Sequence, residues 1–192
     1  ELQSRLRITG NDLNDFALSW AINSHNSNLP DYTENIEMNH DRYGSMAQRL
    51  PVNGIYFQRM DAKLAMADAS YQWIDIDPFG SPVPFIDSAI QSLARTGMLE
   101  VTATDTAALT GSSLSSQKRR YGAQGIVDDY AHDDAVRVLL GMIAKTAAMH
   151  DRIIKPILSL FDGHHVRVSV LIKTSKEACL LYTSPSPRDW LQ

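Results

Sequence analysis

A strand that stops at an acid and turns at once into a helix organises this chain: Tyr71-Gln-Trp-Ile-Asp-Ile-Asp-Pro-Phe-Gly-Ser-Pro-Val-Pro-Phe85. Trp73, Ile74 and Ile76 give the segment its β character, and Pro78, which has no amide hydrogen, forbids the strand to continue. Gly80 permits a positive φ in the turn, and Pro82 and Pro84 suit a turn and a first helical position. Phe85, Ile86, Ala89, Ile90 and Leu93 then recur at helical spacing. Asp77 and Phe79 are thereby expected at the carboxyl end of a strand, where open α/β sheets place their ligands. A carboxylate beside an aromatic ring on a rigid turn suits a flat, hydrogen-bonding substrate such as a nucleobase.

The rest of the chain repeats the theme. Leu6 to Asp12 reads as a short strand, with Leu13, Phe16, Ala17, Trp20 and Ala21 at helical spacing behind it. Ser24 to about Tyr43 is polar and reads as a long loop. Ile55 to Met60 is a second strand ending at Asp61, and the alanine-rich run Ala62 to Asp68 a short helix. The helix after the central strand is expected to reach Arg95, with Gly97 as its left-handed cap, and Met98 to Thr104 to form the next strand before Asp105. Thr110 to Ala123 reads as a loop carrying the basic run Lys118-Arg-Arg120. Asp133 to His150 is the most periodic helix, with Val136, Leu139, Leu140, Ile143 and Ala147 on one stripe. Pro156 reads as the end of a linker, and 157–161 and 166–172 as two strands joined in hairpin style through Asp162-Gly-His-His165. Alternating strands and helices predict an α/β fold with a mostly parallel sheet, right-handed crossovers and a C-terminal antiparallel hairpin.

Composition bounds the function. A length of 192 residues allows one sizeable core, and 44% apolar content is ordinary for a globular chain. The net charge of −4 argues against a wholly basic nucleic-acid binder but leaves room for a local basic patch. The single cysteine, Cys179, excludes a disulfide framework within the chain and fits a reducing compartment. No apolar run reaches membrane length and no secretory signal is read at Glu1, so a cytoplasmic location is expected. The first 175 residues are expected to form one partial domain. Residues 176–192 include Leu180-Leu-Tyr-Thr-Ser-Pro-Ser-Pro-Arg-Asp-Trp190, which breaks the pattern and is expected to be a non-native or disordered tail.

Four acids, Asp12, Asp61, Asp77 and Asp105, each follow a strand. One such acid is a common turn residue; four on one sheet edge favour a nucleoside-containing ligand, because strand-end acids can hold ribose hydroxyls. No Walker loop and no G-x-G-x-x-G is present, so neither a kinase nor a nicotinamide enzyme is supported. The spacing of His132, His150, His164 and His165 matches no standard metal motif, and no metal is expected. Lys118, Arg119, Arg120 and Tyr121 form a basic run with an aromatic that could neutralise phosphates and stack on a base.

The run from Ile74 to Ala89 resembles the tRNA (guanine-26) N2-dimethyltransferase family, as do Val101-Thr-Ala-Thr-Asp-Thr-Ala107, Arg120-Tyr-Gly-Ala123 and His132 to Leu140. The match runs in order from Asn11 to Ile172. The resemblance implies a class I, Rossmann-like methyltransferase that uses S-adenosyl-L-methionine to methylate the exocyclic N2 amine of a tRNA guanosine. It implies Asp12 for the cofactor ribose, Asp61 and Ala62 for its adenine, and Asp77, Pro78, Phe79 and Gly80 as the catalytic turn. It places the first strand and cofactor loop of the family upstream of Glu1, so these are expected to be missing and the fragment itself could be inactive. His132-Asp133 stands where the family usually has His-Glu. The rival expectations are a noncatalytic RNA-binding remnant of the same fold and an amino-group methyltransferase acting on DNA or protein.

Overall fold

The computed structural model describes residues 8–26, 48–49, 55–67, 69–176 and 178 of the chain. Most of the polar stretch read as a long loop, and nearly all of the expected tail, lie outside these residues. The chain divides into two compact units, Glu1–Asp68 and Ala69–Gln192.

The first unit holds β1 (Ile8–Asn11), α1 (Asp15–Asn26), β2 (Gln48–Arg49), β3 (Ile55–Gln58) and α2 (Ala62–Ala67). β1 and β3 run parallel, with Ile8 opposite Ile55 and Asn11 opposite Gln58, and β2 pairs antiparallel on the far side of β3. Leu18 and Ile22 are the buried side chains of α1. Because β1 and β3 are parallel neighbours, their carboxyl ends lie side by side. Three contacts bind these ends: the Asp12 amide donates to the Gln58 carbonyl, the Asn11 carboxamide nitrogen to the Met60 carbonyl, and Arg59 Nε to the Leu13 carbonyl.

The second unit holds β4 (Tyr71–Ile76), α3 (Val83–Ser92), β5 (Leu93–Ala103), α4 (Thr106–Leu109), α5 (Leu114–Tyr121), α6 (Ala131–Ala148), β6 (Arg152–Phe161) and β7 (Val166–Thr174). Its sheet has the order β4-β5-β7-β6, with β4 and β5 parallel and the closing β6-β7 hairpin antiparallel. Period-two alternation puts Ile74, Ile76, Leu99, Val101, Val168 and Val170 on one face. Helices α3 and α6 pack there through Ile86, Ala89, Ile90, Leu139, Ile143 and Ala147. The expected stripe of the long helix therefore holds at Leu139, Ile143 and Ala147, which are fully buried, while Val136 and Leu140 are half-buried. The central strand forms as expected from its residues, and a helix follows it, though a shorter one than expected.

Three expectations need correction. The helix after the Asp77–Gly80 turn stops at Ser92, and the next strand begins immediately at Leu93. Gly97 is therefore no left-handed cap. It lies buried in β5, at an irregularity where the β4 pairing jumps from Leu93 to Met98. A Cβ there would stand 2.9 Å from Leu93 Cδ2 and 3.1 Å from the Gln72 carbonyl oxygen. The leucine tip can yield but the β4 backbone cannot, so Gly97→Ala should cost about 1–3 kcal/mol. A urea titration would check this, and an unchanged midpoint would count against so tight a crossing. Arg152 braces the same irregularity by donating to the Leu93 and Ala94 carbonyls at 2.8 and 2.9 Å.

Pro156 is likewise no linker end. β6 extends from Arg152, and Pro156 sits inside it beside a register shift. The strand accommodates proline because it is the sheet edge, where one side of its backbone needs no ladder partner. Finally, the segment read as a loop from Thr110 to Ala123 contains α5 and borders α4. Its helical signal was hidden because the buried residues of α5 are Gln117 and Tyr121 rather than an apolar stripe.

Candidate active site

The turn after β4 is fixed from outside rather than by its own residues. Gly80 takes φ of +82°, a conformation that side chains rarely adopt. Its amide donates to Thr104 Oγ1 at 2.6 Å, and the Thr104 amide donates back to the Gly80 carbonyl at 3.0 Å. Thr104 follows β5, so the exits of two parallel strands are clamped together. One residue further, Ser81 Oγ donates to the Tyr121 hydroxyl at 3.1 Å, and that hydroxyl donates to Asp105 Oδ1 at 2.6 Å. Arg120 completes the chain with a 2.9 Å contact to Asp105 Oδ2. Held this way, Phe79 projects fully exposed, at 105% of the reference area. Asp77 is also exposed, and among the described residues no hydrogen bond or ion pair engages its carboxylate.

The clamp has a pH signature. Burial, then the hydrogen bond to Asp105, pushes the Tyr121 hydroxyl well above its ordinary value of 10.0, so it remains a donor. Because the folded value is raised above the unfolded one, the associated stability is complete below pH 10.0 and is lost as the pH rises past it. Thermal midpoints should therefore hold steady up to about that pH and then fall. Tyr121→Phe should remove the decline specific to this hydroxyl and, by leaving Asp105 one donor short, cost about 1–3 kcal/mol at neutral pH. A Tyr121→Phe protein with wild-type neutral stability would contradict the clamp.

In the first unit, the turns after β1 and β3 carry the other expected site residues. Asp12 Oδ1 accepts the Asn14 amide at 2.7 Å, and Asp61 Oδ1 accepts the Lys63 amide at 2.9 Å and the Leu64 amide at 3.4 Å. Each acid is thus an Asx or capping residue through one oxygen. Among the described residues, the other oxygen of each exposed carboxylate takes no contact. Ala62 begins α2 directly after Asp61. Two acceptor oxygens on neighbouring strand ends, beside the buried Asn11 Oδ1 that lacks a donor among the described residues, form a donor-seeking set that fits a ribose and an adenine amine.

The basic run divides. Lys118 and Arg119 are exposed at the end of α5. Arg120 turns to Asp105, and Tyr121 is only 3% exposed. The expectation that the Tyr121 ring offers a stacking face therefore fails in this structure: its hydroxyl is needed inside, and the ring follows it. Asp105, expected as one of four ligand acids, is consumed by the same network. The histidines also have local partners. His132 stacks on Phe161 at 4.4 Å, His150 Nε2 meets Asp87 at 2.7 Å, and His165 Nδ1 meets Asp162 at 3.0 Å.

Sequence reasoning missed a polar row on the sheet face opposite α3 and α6. Arg167 on β7 reaches both oxygens of Asp75, at 3.2 and 2.8 Å, and Thr102 Oγ1 at 2.6 Å. It also lies 3.2 Å from Glu100, which accepts a hydrogen bond from Ser169 at 2.7 Å. The hydrogen bond to Asp75, with the charges of Asp75, Glu100 and Asp77, holds the Arg167 guanidinium above its ordinary value against the opposing effect of burial. The only sequence signal was an arginine and a serine between the valines of Val166 to Val170.

Comparison with known proteins settles the family. Residues 1–181 match the model of the N2,N2-dimethylguanosine tRNA methyltransferase family. The chain belongs to this family. The tRNA (guanine(26)-N(2))-dimethyltransferase of Thermoplasma volcanium is 47% identical over 103 residues, 54% of this chain and 30% of the relative. That of Thermoplasma acidophilum is 37% identical over 148 residues, 77% of this chain and 41% of the relative. A solved Trm1 from Pyrococcus horikoshii, in complex with S-adenosyl-L-methionine, superposes with a TM-score of 0.78 and 30% identity, over 90% of this chain and 45% of that one. This member of the dimethyltransferase family thus has the expected Rossmann-like α/β fold, and it spans less than half the length of the relatives it matches.

Proposed function

We propose that this chain is catalytic-domain sequence of a tRNA methyltransferase that transfers methyl groups from S-adenosyl-L-methionine to the N2 amine of guanosine 26. The observation that carries the reading is the pairing of an unengaged Asp77 with a fully exposed Phe79 on a turn clamped at the carboxyl end of β4. The family match and the cofactor in the solved Trm1 support it.

The guanine amine is a poor nucleophile because its lone pair is delocalised into the ring. Asp77, exposed and without an internal partner, accepts a hydrogen bond from that amine, orients its remaining lone pair and takes a proton as the new N–C bond forms. The Pro78 carbonyl adds a second acceptor. Phe79 stacks on the base, which must leave its own stack to reach the turn, a contact worth about 1–3 kcal/mol. Gly80 lets the turn close without strain and hands its amide to Thr104, so orientation is settled before substrate arrives. When bound, the cofactor supplies an electrophilic methyl on a sulfonium centre. Asp12 would take its ribose hydroxyls, and Asp61 and Ala62 its adenine. Lys118 and Arg119 face solvent and suit tRNA phosphates. A cytoplasmic location accompanies this reading.

The test is methyl transfer from labelled cofactor to unmodified tRNA, with nucleosides resolved by mass spectrometry, on this chain and on a full-length relative. N2-methylated guanosine confined to position 26 is the expected product. RNA binding without product from either protein would move the reading to a noncatalytic RNA-binding domain.

A further inference from the structure

A cavity of about 330 Å³ opens between the loop after α5 and the outward side of α6, away from the catalytic turn's own residues. Its lining includes Tyr121, Gly125, Asp134, Arg137, Gly141 and Lys145. One wall is pinned: the buried Gln117 accepts the Gly125 amide at 2.7 Å and donates to the Leu109 carbonyl at 3.1 Å. The floor is open because Gly141 has nothing within 4 Å of where a Cβ would stand. Arg137, Gly141 and Lys145 follow at intervals of four along α6, so the two cations stand on one face on either side of the glycine. Neither cation has a partner among the described residues.

The helix dipole accounts for Asp134 in the first turn and favours Lys145 in the last. It does not account for Arg137 in mid-helix, turned into a cavity beside an unoccupied glycine floor in a chain of net charge −4. The separation of eight positions between the cations amounts to roughly 12 Å of helical rise. That separation suits two phosphates of one backbone better than a single anion. Tyr121 forms another part of the lining, and its hydroxyl belongs to the network that clamps the catalytic turn. The lysine and arginine at the end of α5, Lys118 and Arg119, extend positive charge from the neighbouring helix.

We propose that this cavity seats the sugar–phosphate backbone of the RNA substrate, with Arg137 and Lys145 each taking a phosphate. The assignment rests on the tRNA reading above. It makes α6 a second RNA contact, coupled through Tyr121 to the turn that receives the base.

The test is binding of a fluorescent RNA hairpin by anisotropy across roughly 50 to 200 mM salt, on the full chain, with thermal midpoints confirming the fold of each variant. In the Arg137→Gln, Lys145→Gln double variant, the hairpin Kd should rise about tenfold and the slope of log Kd against log salt should fall by about 2. Gly141→Glu, which brings a carboxylate into open space, should weaken binding in the same direction, and Gly141→Gln should bind more tightly than Gly141→Glu. Wild-type Kd and slope in both charge-altering variants would overturn the proposal, as would a wild-type chain that binds no hairpin. Inorganic phosphate should not compete at low millimolar concentration; competition there would make this a free-phosphate site and overturn the backbone assignment. Binding needs no turnover, so RNA binding through these residues with no methylated product from either this chain or the full-length relative would refute the catalytic reading alone.

Discussion

Replacing Asp77 by alanine is expected to lower methyl transfer to tRNA by about 10²–10⁴-fold, the range that a positioned proton acceptor contributes. Affinity for the cofactor should be unchanged, because the residues assigned to it, Asp12, Asp61 and Ala62, lie on other strands' ends. The thermal midpoint should also be unchanged. Asp77 is exposed and has no partner among the described residues, so its removal leaves no buried group unsatisfied. This combination separates a chemical role from a structural one. Asp77→Asn keeps an oxygen that can accept from the amine but loses the ability to take a proton, and should fall between alanine and wild type. Initial rates with labelled cofactor would be measured on this chain and on a full-length relative carrying the equivalent changes. Wild-type turnover in the alanine variant, wherever the unaltered protein is active, would remove Asp77 from the mechanism.

Arg167 should matter to stability as much as Asp77 does to turnover. Asp75 and Glu100 are directly opposite one another in the β4–β5 ladder, a placement that like charges disfavour. Arg167 reaches across from β7 to both of them and to Thr102. Removing it leaves two facing carboxylates, one of them, Glu100, buried at 8% exposure with Ser169 as its remaining hydrogen-bond partner. Truncating one member of a buried pair costs about 3–5 kcal/mol. Partial exposure of Arg167 and Asp75 brings the expectation for Arg167→Met to about 2–3 kcal/mol. Urea unfolding would measure it. Adding Glu100→Gln to the variant should recover a good part of the loss, since the remaining row then carries one charge. A second substitution that only deepened the loss would show that Glu100 contributes by packing and not by charge.

Elements whose burial pattern is apolar were legible in the chain itself. Ile74 and Ile76 announce β4, Ile86, Ala89 and Ile90 announce α3, and Leu139, Ile143 and Ala147 announce α6, because each buries one apolar face at the period of its backbone. The turn after β4 was legible for a different reason: proline and glycine restrict φ locally, so Asp77 to Gly80 is written in its own residues. What the sequence could not show were features set by partners distant along the chain. Gly97 serves the close passage of the Gln72 backbone, α5 is buried through Gln117 and Tyr121, and Pro156 is tolerated because β6 became an edge.

The same division runs through the site. The acids at the strand ends and the basic run from Lys118 to Tyr121 were visible as residue types, and so was the family. Which of them remain available was decided only by tertiary structure. Asp105, Arg120 and Tyr121 are spent on one another and on Ser81, a network whose members are up to 40 residues apart. A polar side chain hydrogen-bonds whatever folding brings within reach, and sequence distance carries no record of that choice. Local backbone restrictions and hydrophobic periodicity determined the turn and the elements; long-range packing decided which charges bind the fold together and which are left for a ligand.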